Sequence, residues 1–192
     1  DYQPSRGLGD VYKRQEPKID GLSISLLYVN GNLFNAATRG DGKVGEIVTD
    51  NIKTIKDIPH KLKGNYPNLI EIRGEIFMKK ANFEKLNKSQ IEKNGKVFAN
   101  SRNAAAGSIR QKDINILKER KLNFYAFSVG EYTNDFNFET QFDLLKKFKL
   151  MGVITNQENF VASSIEDIKK FYSLMISKRN VLDYEIDGLV YK

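Results

Sequence analysis

Asn30-Gly31 separates two runs of apolar and β-compatible residues, Leu22 to Val29 and Leu33 to Thr38. The two central positions of a tight hairpin turn need positive φ, and Asn-Gly adopts it with little strain. The pair predicts an antiparallel hairpin over residues 22–38. Strands joined this way need no crossover helix between them. Leu69 to Met78 alternates around Ile70, Ile72, Ile76 and Phe77 and reads as another strand, as do the aromatic-rich run Leu122 to Tyr132 and the last run, Glu185 to Tyr191. Helical spacing appears over residues 44–55 (Ile47, Val48, Ile52, Ile55), 80–93 (Phe83, Leu86, Ile91), 101–110, 139–150 and 164–178. Asn94-Gly95 suits a helix end, and Ser163-Ser164 before Glu166 and Asp167 suits a helix start. The expected fold class is α+β, with antiparallel sheets flanked by helices rather than a doubly wound parallel sheet.

Composition narrows the classes of function. No stretch approaches the roughly 18 apolar residues of a membrane span, so no membrane partner is expected. The chain has no cysteine, which excludes disulfides and thiolate zinc sites within it and suits a reducing cytoplasm. Lys and Arg number 31 against 24 Asp and Glu, a net charge of +7 that favours a polyanion such as nucleic acid; the plainer reading is a lysine-rich surface that keeps the protein dissolved. Residues 1–15, with two glycines, a proline and no clear period, read as a poorly ordered or artefactual leader outside the main domain.

The chemistry gathers at the two ends. Lys18 stands two residues before Asp20-Gly21, and Asp187-Gly188 stands shortly before Lys192. A lysine becomes a nucleophile only when its ammonium loses its proton, which burial and cationic neighbours favour. Arg39, Arg73, Arg102 and Arg110 can hold phosphate oxygens, and Asp20, Asp41, Glu75 and Asp187 can orient lysines or share a magnesium ion. That inventory suits phosphoryl-type transfer, which depends on positioning and charge neutralisation. Each residue also has a plain alternative: a solvated lysine at a strand end, a turn-forming Asp20 or Asp41, a Glu75 that merely pairs with Arg73, arginines that pin a short helix, a Phe127 that belongs to the core. His60, the single histidine, follows Pro59 and is assigned no role.

The blocks EPKIDGLS, ATRGDGKVGE, EIRGEIF, FANSRNAAAGSIRQ and EIDGLVYK run in this order from Glu16 to Lys192. Together they resemble the adenylation domain of bacterial NAD-dependent DNA ligases. The K-x-D-G core alone is shared with ATP-dependent DNA ligases, RNA ligases and capping enzymes, whereas TRGDGxxGE and FANxRNAAAGSxRQ are far more specific to the NAD-dependent group. The resemblance implies a nucleotidyltransferase fold with a nucleotide cleft, over residues 16–192, short of the family's usual extent at both ends. It implies that Lys18 attacks the α-phosphate of NAD and expels nicotinamide mononucleotide. The lysine–AMP is then used to activate the 5′-phosphate of nicked double-stranded DNA for sealing. Asp20 and Asp187 would serve the reaction centre, Asp187 with Mg2+, although no metal ligand is certain. Glu16 would read the adenine edge, Arg39 and Glu75 would meet ribose and phosphate, and Phe127 would stack on the base where the family often has tyrosine. Lys192 would bind phosphate and crowd Lys18, and Arg102 and Arg110 would contact the DNA backbone. The implied setting is a monomer in the bacterial cytoplasm, at the nucleoid. Two alternatives stay open: an ATP-using ligase or capping-type enzyme, and an inactive basic DNA-binding fragment. The site reading requires Lys18, Glu75 and Lys192 to line one pocket.

Overall fold

The computed structural model describes residues 13–40 and 45–192. Residues 1–12 and the turn residues Asp41 and Gly42 lie outside the described residues. The strands are β1 (Lys13–Ile19), β2 (Leu22–Val29), β3 (Asn32–Thr38), β4 (Leu69–Met78), β5 (Leu122–Tyr132), β6 (Phe160–Ala162) and β7 (Ile186–Tyr191). The helices are α1 (Thr49–Ile52), α2 (Lys80–Glu92), α3 (Ser101–Ile109), α4 (Ile114–Glu119), α5 (Gln141–Leu150) and α6 (Ile165–Lys178). Four strands form one sheet in the order β3-β2-β4-β5, and three form a second in the order β6-β1-β7. Every neighbouring pair is antiparallel. The mixed α and β composition and the antiparallel pairing are those expected from the sequence.

The predicted hairpin is β2–β3, with Asn30 at φ 48° and Gly31 at φ 74°. Alternation then sorts the larger sheet into two faces. Ile24, Leu26 and Tyr28 of β2 and Ile70, Ile72 and Ile76 of β4 are buried on one face, in a core shared with Ile52, Ala104, Ala105, Leu144 and Phe148 from the helices. Each such aliphatic side chain contributes about 1.5–3 kcal/mol when fully buried. The opposite face carries Ser23, Ser25, Glu71, Arg73 and Glu75 and looks toward the smaller sheet. Phe77, Phe171, Met175, Tyr184 and Ile186 form a second cluster that joins the two sheets. Lys18-Ile19-Asp20-Gly21 lies where the chain leaves β1 in one sheet and enters β2 in the other. A Cβ on Gly21 would fall 2.2 Å from the Ile76 carbonyl oxygen, so only glycine lets the chain cross that closely.

Three expectations are corrected. Lys13 to Gln15, assigned to a leader, belong to β1: Gln15 pairs with Phe160 on one side and Tyr191 on the other. Sparse apolar character hid this strand, whose order comes from backbone bonds on both edges. The helix expected over residues 44–55 is only α1, because Glu46 and Val48 are drawn into bonds with Thr38 and Ala36 of β3 and hold that stretch extended. Ile91, placed on the buried side of its helix, is 64% exposed, while Phe83 and Leu86 do pack on the core. α4 and β6 are too short to show a period and were not anticipated. Several helix ends follow their capping residues: Ser164 accepts from the Asp167 N–H, Thr140 from Asp143, Asn100 from Asn103, and Asn94 takes a φ of 52°.

Candidate functional site

A cavity of about 360 Å³ opens between the two sheets. Its wall includes Glu16, Lys18, Arg39, Glu75, Arg102, Phe127 and Lys192, brought from β1, the end of β3, β4, α3, β5 and the residue after β7. Lys18, Glu75 and Lys192 therefore share one pocket despite their separation in sequence. Asp187 and Asp20 do not line the cavity but bond residues that do. Lys18 Nζ donates to Asp187 Oδ2 at 2.5 Å, and Arg102 Nη1 donates to Asp20 Oδ1 at 3.2 Å. Arg110 is not in the cavity; it pairs with Glu46 at the other end of α3 (3.1 Å). Asp41 lies outside the described residues.

Two slips of strand register fall beside this space, and one of them puts the Phe127 side chain on its wall. On β7, Lys18 faces Gly188 and Ile19 faces Ile186, so Asp187 has no partner across the ladder. On β5, Arg73 faces Ser128 and Gly74 faces Ala126, so Phe127 is the unpaired residue. Such bulges commonly redirect a side chain beside a functional site. The two acid–glycine pairs also differ. Gly21 is required by close backbone contact, whereas a Cβ on Gly188 would meet nothing within 4 Å, leaving open space opposite Lys18.

The site has two poles. At one, Lys18 and Asp187 form an ion pair that is half exposed, with Glu75 and Arg102 nearby on the wall. Glu75 is 9% exposed and accepts from Ser23 Oγ at 2.7 Å. Burial pushes its carboxyl up from the ordinary value; the Ser23 bond and the charges of Arg102 and Lys18 oppose that rise, and Asp187 adds to it. A buried carboxylate with only one hydrogen-bond donor from its surroundings retains capacity to accept more.

At the other pole, Lys192 Nζ donates to Glu16 Oε2 (3.0 Å) and to the Phe127 carbonyl (2.9 Å), and lies 5.3 Å from the centre of the Phe127 ring. The expectation that Lys192 crowds Lys18 is corrected: its ammonium is held by Glu16 and Phe127, while the partner of Lys18 is Asp187. The cause is register, since Lys192 lies beside Arg14, four residues along β1 from Lys18. Arg14 Nε lies 2.9 Å from Glu16 Oε1, though not aligned as a donor. Glu75 is not the partner of Arg73; that guanidinium bonds Glu71 through Nε (2.8 Å) and Nη2 (3.3 Å).

Several wall residues escaped the sequence reading. Ser23 sits on the alternating strand just after the lysine motif, a signal that could have found it. The buried Asn156 on the wall, and Gln141 behind it, which bonds both Glu16 and the Phe127 carbonyl, carry no sequence mark of a site. Among the described residues no group of three or more acidic or histidine side chains is placed to hold a metal alone.

Comparison with known proteins decides the family. Residues 8–192 match the model of the NAD-dependent DNA ligase adenylation domain. The chain belongs to that family. The match starts inside the segment expected to be a leader. A DNA ligase of Bartonella tribocorum is 50% identical over 177 residues, covering 92% of this chain and 24% of the relative. One of Nitrobacter winogradskyi is 51% identical over 178 residues, covering 92% of this chain and 25% of the relative. A third, from Rhodopseudomonas palustris, is 50% identical over 178 residues, again 92% and 25%. The chain thus spans about a quarter of the length of these ligases.

Proposed function

We propose that this adenylation domain takes an adenylyl group from NAD onto Lys18 and passes it to the 5′-phosphate of nicked double-stranded DNA. The observation that carries the reading is the single cavity that gathers seven of the ten proposed site residues from six segments. Its fold is read as the nucleotidyltransferase fold, with the cavity as nucleotide cleft.

In this reading the base enters the Glu16 pole. The Phe127 ring offers a π-face, and the Glu16 carboxylate accepts from an exocyclic amine. Glu75 accepts from ribose hydroxyls, and Arg39, Arg102 and Lys192 neutralise phosphate oxygens. Lys18 first leaves its Asp187 partner and gives a proton to solvent. Its lone pair then forms a bond to the α-phosphorus, and the bond from that phosphorus to the bridging oxygen breaks. Nicotinamide mononucleotide leaves with the oxygen and its electrons. NAD is consumed here, so it is a substrate. Mg2+ fits a site with few carboxylates, because it is commonly held by one or two of them together with substrate phosphates, and Asp187 and Glu75 are the candidates; the ion would supply charge neutralisation at the phosphates. Arg102 and Arg110, both about half exposed and in weak surface ion pairs, can exchange Asp20 and Glu46 for DNA phosphates. A monomer acting in bacterial cytoplasm at the nucleoid goes with this reading; among the described residues no helix is long and apolar enough to cross a membrane.

Two measurements test it. Intact mass after incubation with NAD or ATP should reveal one adenylyl group with NAD, absent in Lys18→Ala. Calorimetric titration with AMP should show binding that Glu75→Gln weakens. A folded chain that binds no adenine nucleotide would overturn the reading, and adduct formation from ATP alone would move it to the ATP-dependent class.

A further inference from the structure

Gln141 is the first residue of α5, fixed there by its N-cap Thr140. Its Nε2 donates to the Phe127 carbonyl at 2.6 Å and to Glu16 Oε1 at 3.2 Å. Lys192 makes the same two attachments from the other side, to the Phe127 carbonyl and Glu16 Oε2. One side-chain amide and one ammonium thus bracket the same carboxylate and the same bulge carbonyl. The two donors differ in one respect. Lys192 sits on a long flexible stem with a full charge, so a phosphate in the cavity competes for it. Gln141 carries no charge and is anchored at a helix start, so a phosphate has little hold on it.

We infer that Gln141 is the positioning residue of the base pocket: it keeps the Glu16 carboxylate and the Phe127 bulge together when Lys192 leaves them for a phosphate. The inference rests on the nucleotide reading of the cavity and deepens it. Glu16 keeps its acceptor lone pairs turned toward the amine of the base only while something fixes its second oxygen. Phe127 is unpaired in the ladder, and its carbonyl is the handle by which the ring is held in place. Arg14 also lies 2.9 Å from Glu16 Oε1 and balances its charge, but its Nε is not aligned as a donor and makes no bond to the Phe127 carbonyl, so it does not tie the carboxylate to the ring. Gln141 is the side chain that joins acceptor and ring through bonds a phosphate does not disturb.

Substrate discrimination tests this more sharply than activity. The 192-residue chain and its Gln141→Met variant are titrated with AMP and with purine riboside 5′-monophosphate, which lacks the 6-amino group. The unaltered chain should prefer AMP. Gln141→Met should lose roughly tenfold in AMP affinity, the value of a hydrogen bond to a charged group, while the aminoless ligand, which senses only the loosened Phe127 ring, loses several-fold less. Lys192→Met should weaken both ligands together, because both carry the phosphate. Gln141→Glu retains the length and suits a helix start, so it guards against misfolding; it should lose still more AMP affinity, by setting a second carboxylate against Glu16. Equal weakening of both ligands by the Gln141 variants, or no weakening, would overturn the inference while leaving the nucleotide reading intact. Failure of the unaltered chain to bind either nucleotide would overturn both.

Discussion

Glu71 and Glu75 lie four residues apart on one face of β4, and the fold treats them oppositely. Glu71 is fully satisfied. It accepts from Arg73 twice, from Ser25 Oγ at 2.7 Å and from the Glu131 N–H at 3.2 Å. Burial alone would push its carboxyl up, but these bonds outweigh burial and hold it below the ordinary value. Glu75 is more deeply buried, has one hydrogen bond from Ser23, and is pushed up. The strand supplies two identical side chains; the neighbours make one a fastening and leave the other available to a ligand. A carboxylate left short of donors at a cavity wall is the better functional candidate.

The largest effect that could break this comparison is on ligand binding. Glu75→Gln should lower adenine-nucleotide affinity roughly 10- to 100-fold, as expected for one hydrogen bond to a charged group. Glu71→Gln should leave it within about twofold, since the Glu71 lone pairs are already taken. Parallel calorimetric titrations of the two variants decide it, and equal losses would dissolve the distinction. Folding stability should rank them the other way. Glu71→Gln removes the charged acceptor of three groups and should cost about 1–2 kcal/mol in denaturant unfolding. Glu75→Gln removes a buried charge yet keeps an acceptor for Ser23, so its stability at neutral pH should be unchanged or slightly higher.

The pH dependence of the two glutamates has opposite sign. For Glu75, the folded chain holds the proton more tightly than the unfolded chain. Raising the pH from the ordinary carboxylate value through the raised folded value therefore costs stability, and Glu75→Gln should flatten that part of the profile. For Glu71 the folded value is lowered. Its contribution is present above the ordinary value and disappears as the pH falls through the lowered one, so Glu71→Gln should flatten the acid side. Melting temperature against pH for both variants checks the signs. The same direction of change in both would show that the shifts do not arise from these local contacts.

Period-2 alternation put Glu71, Arg73 and Glu75 on one face, which is as far as sequence can go here. Arg73 stands two residues from each glutamate, so spacing alone allowed it to pair with Glu75. What decided the matter is non-local: Ser25 on the neighbouring strand, the Glu131 amide on the other side, and the register slip beside Gly74. A Cβ on Gly74 would come within 2.5 Å of the Tyr125 carbonyl, so β5 presses against β4 there. The same limit applies elsewhere. The lysine motifs, the hairpin and the helix caps rest on local chemistry and were legible. The unpaired positions of Asp187 and Phe127 arise from pairing between strands far apart in sequence, and no local signal marks a one-residue slip. Gln141 reads only as the opening of an amphipathic helix, because its two partners come from residues 16 and 127.

The smallest effect tests whether Arg73 is specific to Glu71 through shape or only through charge. Arg73 reaches both carboxylate oxygens with a planar fork, from a side chain that is 54% exposed. Arg73→Lys keeps the charge but offers a point donor that cannot span two oxygens. Solvent screening of an exposed pair limits the loss to about 0.5 kcal/mol. Nucleotide affinity should not change, since Glu75 never depended on Arg73. If the lysine instead turned to Glu75, affinity would fall by the same order as in Glu75→Gln while stability barely moved. That outcome would mean the guanidinium's geometry, rather than the donors around Glu71, keeps Glu75 free for a ligand.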